Sequence, residues 1–312
     1  MTDPTEMVLS GAVLLALGVA VVSLIIRNVA STGWKPLPPE LPEPGPDSDS
    51  PFQTPSAPID WDEKPVFSPI PETVGKVPVW FFRPLDLIGA GFVFFVFAGL
   101  LLSSLGNDQP PPKITPSLLV VNIGFQFMLA GIVIVLATRR IDIATWLGLR
   151  WPQWPWILLI APGTVFVMWG LFIALQISGY MDWMESLGVE TVQDTVKLLQ
   201  TTQDPLILGM MAFAAVVAAP VCEEIVFRGY LYAVLKRTTG ILPAAFCSAL
   251  VFAAAHGSLT ALLPLFLFGL ALVLVYEKTG SIWAPIAVHF CFNGFTVLAQ
   301  LAARAFNLEV PM

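Results

Sequence analysis

The sequence predicts an all-α fold: a polytopic integral membrane helix bundle with about eight transmembrane helices. Of its residues 56% are hydrophobic and only 12% charged, against roughly 45–50% and about 25% in ordinary soluble domains. Apolar stretches of about twenty residues recur along the chain, the length a helix needs to cross a hydrocarbon core of about 30 Å. These stretches are continuous and do not alternate, which points to helices and away from a barrel.

The first apolar run, Met7 to Ile26, follows Asp3 and Glu6 and lacks a positive leading region, so residues 1–27 read as a retained anchor and not as a cleaved signal peptide. Residues 28–84 hold fourteen of the 28 prolines, interleaved with Ser, Asp and Glu. Such a composition cannot bury enough apolar surface to offset ordering entropy, and it reads as a disordered or PPII-like cytoplasmic tether. Across residues 36–76, Glu40, Glu43, Asp47, Asp49, Asp60, Asp62, Glu63 and Glu72 face only Lys64 and Lys76. Most of the formal charge of −7 therefore sits in this tether. With no basic stripe elsewhere, nucleic acid is excluded as a partner.

Residues 85–312 form the main bundle, with spans expected near 85–105, 117–137, 155–176, 206–222, 241–256, 259–276 and 281–301. The stretch IDIATWLGLRWPQW, residues 141–154, is too short and interrupted to cross. Its Trp146, Trp151 and Trp154, with Trp156 just beyond, suit the headgroup level, and the segment is expected to lie in the interface.

Lys and Arg test this topology. With the N-terminus outside, twelve of them fall on the cytoplasmic side and only Lys113, Lys197 and Arg304 outside, a strong positive-inside bias. No organelle signal is visible, so the expected location is the cytoplasmic membrane, crossed many times. Cys222, Cys247 and Cys291 all lie in apolar surroundings and are expected to be free buried thiols.

Candidate chemistry concentrates after residue 220. In APVCEEIVFRGYLY, Glu223 and Glu224 end an apolar run, where ionisable groups are costly and usually functional. Glu224 and Arg228 are one turn apart and share a face, so an ion pair is expected. Glu223, rotated by about 100°, is free for another partner. Pro220 frees a backbone carbonyl and is expected to kink the helix. Read alone, the carboxylates are equally consistent with a helix end in the headgroup region.

The chain has only two histidines, His256 and His289. His256 follows Phe252 by four residues in LVFAAAHG, placing both on one face, with Gly257 allowing close backbone approach. His289 precedes Asn293 by four in VHFCFNG, so these two also align and need a polar partner or a watery cavity. The structural alternative is a set of interhelical hydrogen bonds gluing the bundle. Cys291 lies about 200° around the helix from His289, and Cys222 lacks a His and carboxylate setting, so no cysteine nucleophile is expected.

Glu-Glu-x-x-x-Arg, then Phe-x-x-x-His, then His-x-x-x-Asn, spread over three helices, resembles the CPBP family of intramembrane proteases. That family includes the type II CAAX prenyl endopeptidases and bacterial bacteriocin-processing relatives. The matching stretch runs from about Val221 to Asn293, and every motif position is filled. The resemblance implies an endopeptidase in which Glu223, with His256, polarises a water as general base. It implies that His289 and Asn293 stabilise the oxyanion, and that Glu224 and Arg228 orient the base. Two His and one Glu also make a recognised zinc set, so Glu223, His256 and His289 as ligands of a divalent metal such as zinc stay open here. Membrane lipids and a membrane-associated peptide or protein substrate are the partners implied.

Two other function classes remain. A proton-coupled transporter also uses intramembrane Glu, His and Asn, yet would show an internal repeat with broken helices, and none is found. A non-catalytic scaffold or immunity protein would keep the bundle and cleave nothing. Because every catalytic candidate follows residue 220, the first span and tether are expected to be dispensable for the chemistry.

Overall fold

A computed structural model describes residues 4–32, 75–79, 84–104, 114–138, 141–189 and 194–306. Among these residues there are helices and no strands. They are α1 (Pro4–Thr32), α2 (Pro84–Ser104), α3 (Pro116–Thr138), the single turn α4 (Ile143–Trp146) and α5 (Ile157–Ile177). The short α6 (Tyr180–Ser186) and α7 (Asp194–Thr201) follow, then the 35-residue α8 (Pro205–Thr239), α9 (Ile241–Ala254), α10 (Leu259–Thr279) and α11 (Trp283–Phe306).

Six described helices are long and apolar enough to cross a membrane: α1, α3, α5, α8, α10 and α11, with the Trp154–Trp156 turn extending α5. The apolar Asp86–Gly99 and Ile241–Ala254 segments are shorter. Of about eight transmembrane helices expected, six reach spanning length among the described residues, and the other two fall on these shorter apolar segments. Their outer faces carry Phe95, Leu158, Phe166, Ile177 and Leu298, all exposed. Such a continuous apolar exterior suits lipid.

The helix starts and stops follow local chemistry. Asp204 caps α8 by accepting from the Leu206 N–H at 2.8 Å, with Pro205 next. Ser258 caps α10 through the Ala261 N–H at 3.3 Å, and Gly280, at φ +72°, ends it in the left-handed region. Asp142 caps α4; the Thr145 backbone N–H and hydroxyl hold its carboxyl below the ordinary carboxylate value. The folded form is therefore favoured above that ordinary value, a gain lost as pH falls through the lowered pKa.

The core forms around α9, whose Ala244, Cys247, Val251, Phe252 and Ala254 are wholly buried. At only 14 residues, α9 is the length of a buried core helix. It packs most extensively on α10 and α1. A Cβ on Gly269 of α10 would meet Ala249 Cα at 3.0 Å, so this glycine is what allows α9 and α10 to approach.

Three expectations are corrected. Trp146 does not face the headgroups: it is fully buried, and its indole Nε1 donates to the Gly229 carbonyl at 2.7 Å. A buried indole N–H needs an acceptor, and α8 supplies one. Trp154 and Trp156 are exposed, as an interfacial position requires. Second, the tether's last residues belong to the bundle. Val77 and Val79 are buried, the Lys76 N–H donates to Glu277 Oε2 at 3.0 Å, and Lys236 Nζ donates to the Val77 carbonyl at 2.9 Å. Lys236 and Glu277 form a buried ion pair at 2.7 Å, and such a pair demands further hydrogen bonds. Backbone from residues 75–79 provides them, whereas residues 33–74 lie outside the described residues.

Third, Gly257 gives no close approach. Nothing comes within 4 Å of a Cβ built there; the residue supplies φ +67° for the turn that ends α9. The thiols agree with expectation: Cys222 and Cys247 are buried, Cys291 half-buried, and all are free.

Candidate active site

The geometry starts from α8, which is not a uniform helix. Its turns widen to five-residue hydrogen bonding over Ala214–Ala218 and again over Glu224–Tyr232. Wide turns of this kind are rare and occur often at functional sites. In the first stretch the Ala219 N–H bonds to the Ala214 carbonyl. The next position in that register would join residue 220 to Ala215, but Pro220 has no N–H to give. The Ala215 carbonyl instead accepts Asn293 Nδ2 from α11 at 2.7 Å. Pro220 thus frees a carbonyl, as the sequence suggested, and Asn293 is the group that takes it.

Glu223 ends the short segment between the two widened stretches and Glu224 opens the second, and their surroundings differ sharply. Glu224 is fully buried, and its Oε1 receives Arg228 Nη1 at 3.0 Å and His289 Nδ1 at 2.8 Å. The guanidinium, also fully buried, donates from Nη2 to the Gly269 carbonyl at 3.4 Å and lies 4.2 Å from the centre of the Phe252 ring. Losing one member of such a pair strands a buried charge and typically costs about 3–5 kcal/mol. Glu223, on the neighbouring face, is half-buried, and its Oε2 is enclosed without a hydrogen-bond partner among the described residues.

Phe252 sits at the centre of the cluster. Its ring makes edge contacts with His256 at 4.9 Å and His289 at 5.8 Å between centroids, while Phe268 meets the other side of His289 at 5.5 Å. His256 lies just past the end of α9, exposed, with Nδ1 2.8 Å from the Phe252 carbonyl. In both histidines Nδ1 faces an oxygen that can only accept, so Nδ1 carries the proton. Nε2 is the nitrogen left to each ring for substrate or water.

The expected Glu224–Arg228 pair, the shared face of Phe252 and His256, and the proximity of His289 to the carboxylates are therefore present. Sequence reasoning missed the Glu224–His289 bond, since it aligned His289 with Asn293 and grouped it with Glu223 and His256 instead. Only a three-dimensional contact joins residues 65 positions apart. Among the described residues no three His, Cys, Asp or Glu side chains come together as a metal site. Glu223, His256 and His289 do not form that donor set in this arrangement, with His289 turned to Glu224 through Nδ1. A separate cavity of about 480 Å³ lies between Trp151, Trp154, Trp283 and Phe290. None of the candidate catalytic side chains lines it.

The family model for Rce1-like proteins, described as type II CAAX prenyl endopeptidase Rce1-like, matches residues 205–295. That stretch runs from the start of α8 past Asn293 and contains every candidate catalytic residue. The chain is 30% identical over 142 residues to the Bacillus subtilis (strain 168) protein described as "Putative membrane peptidase YdiL", covering 43% of this chain and 57% of that protein. It is 28% identical over 187 residues to the membrane-embedded CAAX protease MroQ of Staphylococcus aureus (strain USA300), covering 56% of this chain and 71% of that protein. The Bacillus alignment thus spans less than two thirds of its relative. No solved structure matches the chain. Through the segment formed by α8 to α11, with its carboxylate pair and two histidines, the chain is similar to Rce1-like type II CAAX prenyl endopeptidases and to bacterial membrane peptidases.

Proposed function

We propose that this protein is an intramembrane endopeptidase in which Glu223 activates the attacking water. One observation carries the assignment: the two adjacent carboxylates are unequal. Glu224 is held through Oε1 by Arg228 and His289, whereas no such partner holds Glu223; the Oε2 atoms of both carboxylates are enclosed without a partner among the described residues. A base must be free to face water: the unpartnered Oε2 of Glu224 belongs to a fully buried carboxylate fixed through its other oxygen, whereas Glu223 is only half-buried.

Glu223, aided by His256 Nε2, takes a proton from water as the oxygen attacks the peptide carbonyl. The tetrahedral oxyanion is met by the remaining Asn293 N–H and by His289 Nε2, a role that requires the doubly protonated ring. Collapse returns the proton to the leaving amine. Arg228 and Glu224 hold His289 and α8 in place. Glu223 lies near the middle of the 35-residue α8, so the scissile bond enters the membrane bundle, and the positive-inside count supports a cytoplasmic membrane location with the reaction toward the cytoplasm. The substrate is a membrane-associated peptide or protein. Because the residues do not gather as a metal donor set, no step is routed through a metal.

The test compares membrane proteomes of cells carrying the wild-type protein or Glu223→Ala. Unprocessed termini should accumulate in the variant. Identical termini in the two membranes, with the protein's biological effect retained, would show a scaffold and not an enzyme.

A further inference from the structure

Beyond the residues of the family motif, α8 is gripped by donors from other elements, and this inference rests on the peptidase reading for its catalytic consequence. Three carbonyls of the widened stretches receive side chains from outside α8. Ala215 receives Asn293, Phe227 receives the Ser248 hydroxyl of α9 at 2.9 Å, and Gly229 receives the Trp146 indole N–H of α4 at 2.7 Å. The last two flank Arg228 along the chain. Ser248 and Trp146 are both fully buried, so neither donor has water as an alternative.

A five-residue turn is intrinsically less favourable than a four-residue one and persists where its surroundings hold it. Inserting or removing the extra residue of such a turn rotates every later side chain by about 100°. In α8 that rotation would carry Arg228 off Glu224, and with it the bond to His289. A side-chain donor fixed to a carbonyl opposes the change, because the acceptor moves away from a donor anchored elsewhere. Trp146 is anchored well: the Tyr276 hydroxyl donates to its carbonyl at 3.3 Å, and the Ile282 N–H donates to the carbonyl of Leu147 at 2.9 Å.

We propose that Trp146 and Ser248 are positioning residues that lock the widened register of α8 and so hold Arg228 on Glu224. They touch no substrate; they act through the backbone on either side of Arg228.

The test uses full-length protein in liposomes and reads two quantities. Deuterium exchange over residues 224–234 should quicken about fivefold in Trp146→Phe and in Ser248→Ala, the effect of one lost hydrogen bond. Ser248→Thr, which keeps the hydroxyl, should restore it. Trp154→Phe, at an exposed tryptophan, should change nothing. With a peptide spanning the first cleavage site mapped in the proteome comparison, kcat should fall about tenfold or more in both variants, while KM stays within about twofold. Unchanged exchange in both variants would overturn the register lock, and quickened exchange with unchanged kcat would overturn the positioning role. If wild-type membranes yield no cleavage site, the peptidase reading fails, and the exchange comparison alone decides the register lock. Trp146→Phe leaves some risk of misfolding; Ser248→Ala removes a single buried oxygen and keeps the test decisive.

Discussion

Arg228 shows how one side chain can serve as both charge and template. Its guanidinium holds Glu224, reaches the Gly269 carbonyl and covers the Phe252 ring. A lysine supplies the charge, but neither the forked donors nor the flat face. Arg228→Lys should therefore lower cleavage by about tenfold or more while membrane expression persists, measured as initial rates at matched protein level. Activity equal to wild type would reduce Arg228 to a topology signal. This pair was legible from sequence, because a four-residue spacing within one helix is a contact in any α-like structure. The His289 bond to Glu224 was not. The sequence put both residues in one family pattern, yet the choice between Asn293 and Glu224 as partner depends on how α8 and α11 cross. The same holds for the end of α8: Lys236 counted as an ordinary cytoplasmic positive charge, whereas it is buried and paired to Glu277. A signal existed in the repeat Glu224, Arg228, Tyr232, Lys236, four apart throughout, which draws a polar stripe toward α10.

Among the elements, α8 and the α9–α10 pair position the site. The widened turns of α8 could not be read from periodicity, since each stretch covers only a few residues of an otherwise apolar helix. Only Pro220 marked the place. Gly269 is the second control point, because its missing side chain lets α10 lie against Ala249 while its carbonyl accepts Arg228. Gly269→Val would drive side-chain atoms into the α9 backbone, where no flexible side chain is available to yield. Overpacking of this kind costs about 1–3 kcal/mol. Thermal unfolding in detergent should show a lower midpoint for Gly269→Val, with activity falling in parallel as Arg228 shifts. An unchanged midpoint would mean that α10 moves away freely.

At the scale of the whole molecule, the N-terminal helix is part of the bundle and not a remote anchor. Leu9, Val13 and Ala16 are buried, and Cys247 Sγ donates to the Ala16 carbonyl at 3.1 Å. The composition of the tether argued only for separation. Composition reports the fate of residues that find no partner, and residues 75–79 do find one in Lys236 and Glu277. A chain starting at Pro78 loses both backbone contacts to that ion pair, whereas one starting at Pro71 keeps them. Each buried group left unpaired costs about 1–3 kcal/mol, so the shorter chain should unfold at a distinctly lower temperature than the longer one. Equal midpoints would make residues 75–77 a passive contact. The central claim, that Glu223 activates water for peptide cleavage while Glu224 holds the frame, is tested most directly with purified protein reconstituted into vesicles containing its native membrane proteins. New protein termini would be mapped by mass spectrometry for the wild type and for Glu223→Gln. New termini are predicted with wild type and at least about 100-fold fewer with Glu223→Gln, at unchanged thermal stability. Equal cleavage by the two proteins would contradict the assignment.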